Sequence, residues 1–368
     1  MSDKKLSKLT IKGFKSIKDL TEFKPTNLNI MIGPNGAGKS NFIAFFRFLS
    51  WMLNSDGKLR EHVAYLGGAS DILHDGADVT RNIEGFIGIK TNAGTNEYKF
   101  NLMYSKPDRL TFTEEGYRFS SNNMATVARW SYCGKGHNEA KLPIIANNQT
   151  KKTILGILRK FIVYQFHNTS DTAAMRQKWS ISDGRWLKEN GANLASFLFR
   201  LSHDEPNYYN RIVRYVRQVL PFFDDFIFYD EFGSILLQWK ERDSNKVFNA
   251  GHASDGMLRT IALISILSQP PKDLPDVIFL DEPELGLHPA AISLLAGLIH
   301  KSSTHSQVFI STQSVTLINE FRPEDIIVVE RKGRASTYER QSSETLKAWL
   351  EKYTLGELWE KNVIGGRP

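Results

Sequence analysis

Short apolar runs alternate with helically spaced apolar positions in the last third of this 368-residue chain. Strand-length runs occur at 276–280, 307–310 and 325–330, and helical spacing occurs at about 255–268 and 289–300. Continuous apolar strands between helices indicate a parallel sheet that is covered on both faces. This part of the chain therefore predicts an α/β domain.

The middle of the chain has a different pattern. Strand-length segments at 85–89, 98–102 and 109–112 are separated by turn residues, which predicts antiparallel hairpins. From about 150 to 221 the apolar spacing becomes helical, and Pro221 ends that region. We therefore interpret the middle of the chain as an insertion into one α/β sheet.

Composition excludes several classes of protein. Cys133 is the only cysteine, so neither an internal disulfide nor a thiol metal cluster can form, which is consistent with a reducing cytoplasm. The charged first ten residues do not resemble a signal peptide, and no apolar stretch is long enough to cross a bilayer. The net charge of +7 favours an anionic partner such as nucleic acid, although lysine and arginine are spread along the chain.

The string GPNGAGKS at Gly33–Ser40 matches the pattern G-x-x-x-x-G-K-[ST] in full. It lies between the apolar run 28–32 and the helix-like run 41–46, which is the context of a phosphate-binding loop. We expect Lys39 to contact the β- and γ-phosphates of ATP, and the Ser40 hydroxyl to bind Mg²⁺. The residues predicted to hold ATP are Gly33, Pro34, Asn35, Gly36, Ala37, Gly38, Lys39, Ser40 and Asn41.

The run DVIFLDEPE supplies the second half of an ATP site. Asp281 follows an apolar strand, at the end where α/β sheets place their ligands, and is expected to hold Mg²⁺ directly or through water. Glu282 comes next and is predicted to orient or deprotonate the attacking water. Two acids after a strand also fit an ordinary charged turn, but together with the phosphate loop they predict ATP hydrolysis.

A third motif, Ser254-Asp255-Gly256, begins the predicted helix at about 255–268. Ser254 or Asp255 can simply cap that helix. Alternatively, the Ser254 hydroxyl and the Gly256 N–H form an anion-binding helix tip. The residues alone leave both interpretations open.

The order of these motifs resembles the head of an ABC-type ATPase. The segments at 13–17, 254–259 and 282–289 are similar to the SMC, RecF and OLD-type branch of that class. The segment 350–368, with its Gly365-Gly366-Arg367-Pro368 ending, resembles a group of stand-alone bacterial ATPases associated with anti-phage defence. The resemblance implies an ABC-type P-loop nucleotide-binding domain of the α/β class, with a mixed sheet and an inserted β-hairpin and helical subdomain. The expected limits are 1–80 for the amino-terminal half of the head, 81–225 for the inserted lobe and 226–368 for the carboxy-terminal half.

The resemblance also implies a site shared by two subunits that pack head to tail around two ATP molecules. The phosphate loop, Asp281 and Glu282 would hold ATP within one subunit. Ser254 and Gly256 would contact the γ-phosphate bound by the other subunit, and Leu287 and His288 would lie near the subunit contact. ATP would then stabilise a homodimer or a larger homo-oligomer, and hydrolysis would release it.

Two positions depart from the pattern of these families. The residue after the strand 307–310 that would sense the γ-phosphate is usually histidine, but Gln313 stands here. Glutamine can donate a hydrogen bond but cannot accept a proton at neutral pH, so Gln313 is a candidate sensor. A second glutamine, expected at the entrance to the insertion, has Gln165 as a weak candidate.

The insertion lacks sustained heptads and is too short for the long coiled coil of an SMC protein. The residues after the last strand are too few for the nuclease domain of OLD proteins. His167, Asp171 and Glu282 do not have the spacing of a metal cluster, so we expect no nuclease activity in this chain.

These observations favour a cytoplasmic, Mg²⁺-dependent ATPase that dimerises on ATP and controls a separate effector, such as a nuclease or toxin, in bacterial anti-phage defence. The alternative is a RecF-like ATPase for DNA repair or maintenance, which would bind nucleic acid directly. A transporter ATPase and a non-hydrolysing scaffold are further alternatives, and we expect no contact with a membrane.

Overall fold

The computed structural model describes residues 4–54, 58–122, 128–145, 148–170 and 172–367. The amino-terminal elements are β1 (Lys5–Phe14), β2 (Ile17–Phe23), β3 (Leu28–Ile32), α1 (Lys39–Leu53), α2 (Lys58–Tyr65), α3 (Ala69–Ile72), β4 (Asn82–Thr91), β5 (Gly94–Ser105), β6 (Arg109–Ser121) and β7 (Ser131–Gly134). The middle elements are α4 (Gln149–Leu158), β8 (Ile162–Tyr164), β9 (Trp179–Ser180), α5 (Leu194–Asp204), α6 (Pro206–Val219), β10 (Phe223–Ile227), β11 (Ser234–Ile235), β12 (Gln238–Glu241) and β13 (Val247–Asn249). The carboxy-terminal elements are α7 (Asp255–Ser268), β14 (Val277–Asp281), α8 (Pro289–Ser303), β15 (Gln307–Ser311), α9 (Val315–Ile318), β16 (Ile326–Lys332), β17 (Ala335–Arg340), α10 (Ser343–Leu350) and α11 (Leu355–Glu360).

A six-stranded sheet of order β17-β16-β3-β15-β14-β8 forms the centre of the fold. Its strands run parallel, apart from β17, which pairs antiparallel with β16. Asp281 pairs in register with Ser311, and Ser311 with Met31. The carboxyl ends of β14, β15 and β3 therefore lie side by side at one edge of the sheet, where ligands of open α/β sheets bind.

Alternate residues of the parallel strands pack into two separate cores. Ile278, Leu280 and Ile310 face the core that contains α7 and α8. Phe279 and Phe309 face the opposite core, which contains α1 and the antiparallel sheet. Every residue of β3, β14 and β15 is buried, which explains why their sequences are mostly apolar.

A second six-stranded sheet, of order β2-β1-β4-β5-β6-β7, is entirely antiparallel. The predicted hairpins at 85–112 are confirmed as parts of β4, β5 and β6. Strand β2 was not predicted from the sequence. Most of its side chains are polar and exposed, so its sequence lacks an alternating apolar pattern. Smaller sheets join β10, β12 and β13, and β9 with β11.

The prediction of helical structure throughout 150–221 is wrong in its central part. Helices α4, α5 and α6 do form, but β8 and β9 lie between α4 and α5. The short β8 pairs with β14 at the edge of the parallel sheet. The expected domain limit at 80 separates two strands that pair with each other, because β1 pairs with β4. The limits at 80 and 225 stay predictions.

No helix within the described ranges combines the length and the apolar content needed to cross a membrane.

Candidate nucleotide-binding site

The segment GPNGAGKS connects β3 to α1, as the sequence predicts. Gly33 leaves the strand with φ of 148°, and a Cβ atom there would lie 2.1 Å from the Val329 carbonyl oxygen. Only glycine fits this contact between the loop and β16. Asn35 and Gly36 are exposed at the tip of the loop, and an added Cβ on Gly36 would meet nothing within 4 Å. The open side of the loop therefore has room for a ligand.

Lys39 lies at the first position of α1 and is only 5% exposed. Its Nζ donates hydrogen bonds to the carbonyl oxygens of Gly33, at 2.5 Å, and Pro34, at 3.2 Å. Burial lowers the pKa of Lys39, whereas the nearby carboxylates of Glu282 and Asp281 act in the opposite direction. The ammonium group is therefore held within the loop and close to both predicted acids.

Residues outside the motif hold the loop from behind. The Ser336 hydroxyl, on β17, donates to the Ala37 carbonyl oxygen at 2.5 Å. The Tyr338 hydroxyl donates to the Gly38 carbonyl oxygen at 3.0 Å, and the amide of Asn41 donates to the Ser16 hydroxyl at 2.8 Å. Sequence reasoning missed Ser336 and Tyr338, because a polar residue on an edge strand carries no signal of a contact three hundred positions away.

Asp281 is the last residue of β14 and is 6% exposed. The Ser311 hydroxyl donates to its Oδ1. The Nε2 group of Gln165 donates to its Oδ2 at 2.5 Å, and Gln165 in turn accepts a 3.0 Å hydrogen bond from Arg47 Nη2. The structure thus brings Gln165, the weak candidate from the sequence, directly to the predicted metal-binding acid.

Glu282 leaves β14 in a left-handed conformation, with φ of 44°. Such a conformation costs a non-glycine residue about 1–2 kcal/mol and occurs preferentially at functional sites. The Gln313 Nε2 group donates to Glu282 Oε1 at 2.6 Å and to Asn35 Oδ1 at 2.9 Å. One amide therefore connects the tip of the phosphate loop to the predicted catalytic carboxylate.

Glu284 is a third acid at this edge, and its role was not predicted from the sequence. Its Oε1 accepts hydrogen bonds from the Thr312 hydroxyl, at 2.5 Å, and from the Gln313 backbone N–H, at 3.2 Å. Burial raises the pKa of Glu284. Its contacts fix the backbone that carries Gln313. The third acid of the sequence DEPE was the available signal for this residue.

The Ser254 motif lies at the start of α7. The Ser254 hydroxyl accepts a hydrogen bond from the Met257 N–H at 3.2 Å, so it caps the helix. Gly256 lies under the turn that follows Glu282, because an added Cβ would be 2.5 Å from the Gly286 carbonyl oxygen. His288 caps α8 by accepting from the Ala290 N–H at 3.3 Å.

Ser254, Leu285 and His288 are exposed, and Gly256 is partly exposed. We name these four residues the α7 face. The predicted contact of Ser254, Gly256 and His288 with a nucleotide on another subunit stays a prediction, as does the place of Leu287 near the subunit contact.

Arg259 and Arg176 donate hydrogen bonds to backbone carbonyl oxygens in and around the α7 face. Arg259 donates to the carbonyl oxygens of Phe166, His167 and Leu285, at 2.9, 2.9 and 3.0 Å. Arg176 donates to the carbonyl oxygens of Ala250 and Ala253, and pairs with the exposed Asp255 at 3.0 Å. The backbone of the α7 face is therefore fixed although its outward side chains are exposed.

The donor atoms at this edge suit a magnesium ion that also binds nucleotide phosphates. Magnesium prefers hydroxyl and carboxylate oxygens and usually takes few protein ligands. Ser40 places an exposed hydroxyl at the start of α1, and Asp281 supplies a carboxylate. Within the described ranges, no group of three or more histidine, cysteine, aspartate or glutamate residues could hold a metal ion by itself. Asp171, which we expected to form no metal cluster with His167 and Glu282, lies outside those ranges.

Comparisons with known proteins agree with this geometry. A family model described as "AAA domain, putative AbiEii toxin, Type IV TA system" matches residues 28–319, which include all three motifs. No curated protein sequence matches the chain.

Two solved structures are similar in fold. One is the SmcHead bound to the C-winged helix domain of ScpA, with 17% identity, a TM-score of 0.59 and coverage of 93% of this chain and 99% of that chain. The other is the Smc head domain of Pyrococcus furiosus, with an extended coiled coil and bound to the C-terminal domain of ScpA. It has 16% identity, a TM-score of 0.59 and coverage of 95% and 99%. The chain therefore has the mixed α/β fold of an SMC-type ATPase head, as the sequence predicts.

Proposed function

The chain belongs to the family described as AAA domain, putative AbiEii toxin, Type IV TA system, and on that basis we propose that it binds and hydrolyses ATP. The phosphate loop holds the triphosphate, and Lys39 neutralises its β- and γ-phosphates. Mg²⁺, held by Ser40 and Asp281, would neutralise phosphate charge when bound. Glu282 orients the attacking water and accepts its proton.

The hydrogen bonds of Gln313 are the observation that supports this proposal most strongly. Its amide reaches both Asn35 on the phosphate loop and Glu282 on the turn after β14. A γ-phosphate in the loop would enter the space between these groups and offer the same amide a stronger, charged acceptor. Gln313 would then release Glu282 for water, which links ATP binding to the catalytic carboxylate.

We further propose that two copies pack head to tail, so that the α7 face of one covers ATP on the other. The exposed Ser254 and His288 and the partly exposed Gly256, close to the Leu285 carbonyl that Arg259 holds at 3.0 Å, support this arrangement. A fixed hydroxyl and N–H at a helix start suit the γ-phosphate of a partner. Control of a separate effector in cytoplasmic anti-phage defence is the wider proposal, and it rests on resemblance alone.

Direct binding of nucleic acid has less support from the charges. On the antiparallel sheet, Lys99 pairs with Glu114, Arg118 with Glu97 and Lys8 with Glu22. These pairs balance the basic residues that a nucleic-acid surface would use.

Complementation between inactive variants tests the shared site. Lys39→Ala and Ser254→Arg should each abolish phosphate release when purified alone. Mixed in equal amounts, they form mixed dimers with one intact site, so about a quarter of wild-type activity should return. A mixture that stays inactive, or a Ser254→Arg protein that hydrolyses ATP as a monomer, would contradict the proposal.

A further inference from the structure

Residues 355–367, here named the C-terminal segment, lie between two parts of the candidate site. The segment begins with α11, which packs on α9, and α9 begins two residues after Gln313. It then reaches β16 beside the first glycine of the phosphate loop. Residues 320–367 lie outside the family match at 28–319.

The contact with α9 leaves no free space. The backbone N–H of Gly356 donates to Asn319 Oδ1 at 2.7 Å. A Cβ atom on Gly356 would lie 2.5 Å from Val315 Cγ1 and 3.0 Å from the Val315 carbonyl oxygen. Helix α11 is therefore in direct backbone contact with the helix that follows Gln313.

The other end of the segment lies beside the phosphate loop. The Gly366 N–H donates to Glu330 Oε1 at 2.8 Å, and the buried indole N–H of Trp359 donates to the Gly366 carbonyl oxygen. A Cβ atom on Gly366 would lie 2.7 Å from Val328 Cγ1 and 3.5 Å from the Cα atom of Gly33. Hydrogen bonds thus hold Gly366 on both sides, next to the start of the loop, and an added methyl group there would press on Val328 of β16 and touch Gly33.

Gly33 also carries the carbonyl oxygen that accepts the Lys39 Nζ hydrogen bond. A shift of Gly33 would therefore displace the ammonium group that binds the triphosphate. The tight contacts run through β16, because an added group on Gly366 would displace Val328 and the neighbouring Val329 carbonyl oxygen packs against Gly33.

We propose that the C-terminal segment couples the phosphate loop to Gln313, with Gly366 and Trp359 as positioning residues of the ATP site. This inference rests on the proposed ATPase function. The segment holds Gly33 at one end and α9 at the other, so that ATP in the loop and the position of Gln313 depend on each other. Neither residue contacts the reacting atoms.

A matched pair of glycine substitutions tests the proposal. Gly366 has φ of +60° and Gly333, in the turn after β16, has φ of +62°. Alanine is equally strained at both positions, but a Cβ on Gly333 meets nothing within 4 Å. Gly366→Ala should raise the Kd for ATP about tenfold, whereas Gly333→Ala, which carries the backbone strain alone, should leave it unchanged. Equal ATP affinities for the two variants would overturn the proposal while leaving the ATPase function intact.

Two further measurements keep the test valid if Gly366→Ala fails to fold. Trp359→Phe keeps an aromatic ring but removes the N–H donor to Gly366, and should also weaken ATP binding several-fold. In the wild-type protein, ATP should slow hydrogen exchange at the Gly366 amide, because the bound loop holds Gly33 against it. Unchanged exchange in a protein that demonstrably binds ATP would overturn the coupling. A wild-type protein that binds no ATP would overturn both this inference and the proposed function.

Discussion

The phosphate loop and the α7 face lie on the same domain but differ in where their polar groups point. Around the loop, Lys39 bonds to loop carbonyls, and Gln313 joins Asn35 to Glu282. On the α7 face, Ser254 and His288 only cap their own helices, and their side chains remain exposed. The polar groups of the loop are therefore organised within one chain, whereas those of the α7 face are exposed, as the proposed shared site requires.

The two regions differ in the contacts of their outward side chains, whereas in both regions other side chains form hydrogen bonds to the backbone. Arg259 fixes three backbone carbonyls beneath the α7 face, just as Ser336 and Tyr338 fix the loop from behind. A surface whose backbone is held this firmly is preorganised, which lowers the entropic cost of binding a partner. Variants of the two regions should therefore separate ATP binding from ATP hydrolysis.

Removing the loop cation should have the largest effect. Lys39→Ala eliminates the charge that faces the β- and γ-phosphates, so we expect the Kd for ATP to rise at least about 100-fold. Isothermal titration calorimetry measures it directly. Lys272→Ala, an exposed lysine whose side chain is 69% accessible, is the control and should bind ATP normally.

Blocking the α7 face should leave ATP binding intact. Ser254→Arg places a long side chain where a partner's triphosphate would lie, so phosphate release should fall about 100-fold at an unchanged Kd. Ser254→Ala loses the cap, at about 1 kcal/mol of stability, and the proposed hydroxyl contact with the γ-phosphate, but it adds no bulk. It therefore separates the steric effect of arginine from the loss of the hydroxyl. Normal turnover by the Ser254→Arg protein would contradict the proposal that the α7 face is needed for hydrolysis.

Loosening the support of the α7 face should have a smaller effect. Arg259→Lys cannot reach the carbonyls of Phe166, His167 and Leu285 together, so turnover should fall several-fold while ATP affinity stays constant. Arg211→Lys is the matched control, since Arg211 bonds the Ser268 carbonyl at the other end of α7. Steady-state kinetics should show a loss of kcat only for the Arg259 variant.

Relieving the strain at Glu282 should have the smallest effect on stability. Glu282→Gly accommodates the φ of 44° but loses the hydrogen bond from Gln313, so the two effects nearly cancel and the free energy of unfolding should change by less than about 1 kcal/mol, while phosphate release is lost. Phe232→Gly, at a φ of 54° in an exposed turn, should raise the free energy of unfolding by about 0.5 kcal/mol without affecting hydrolysis. Denaturant unfolding measures both changes, and a loss of several kcal/mol in the Glu282→Gly protein would contradict the account of strain.

The sequence predicted the parts of this molecule that local patterns determine. Buried parallel strands have continuous apolar runs, so β3, β14 and β15 were found, and the strand–loop–helix context around Gly33–Ser40 was confirmed. Strand β8 and the supporting residues Ser336, Tyr338 and Glu284 were missed. Their positions depend on contacts between segments that are distant in the sequence, and such contacts cannot be predicted from single polar residues or from a three-residue strand.

The mass of the Glu282→Gln protein in solution, measured by sedimentation velocity, tests the shared site most directly. This variant should bind ATP without hydrolysing it, so saturating ATP should double the sedimenting mass. Adding Ser254→Arg should return the protein to the monomer mass with one ATP still bound per chain. Dimerisation of the double variant, or a monomer mass for Glu282→Gln saturated with ATP, would contradict the account.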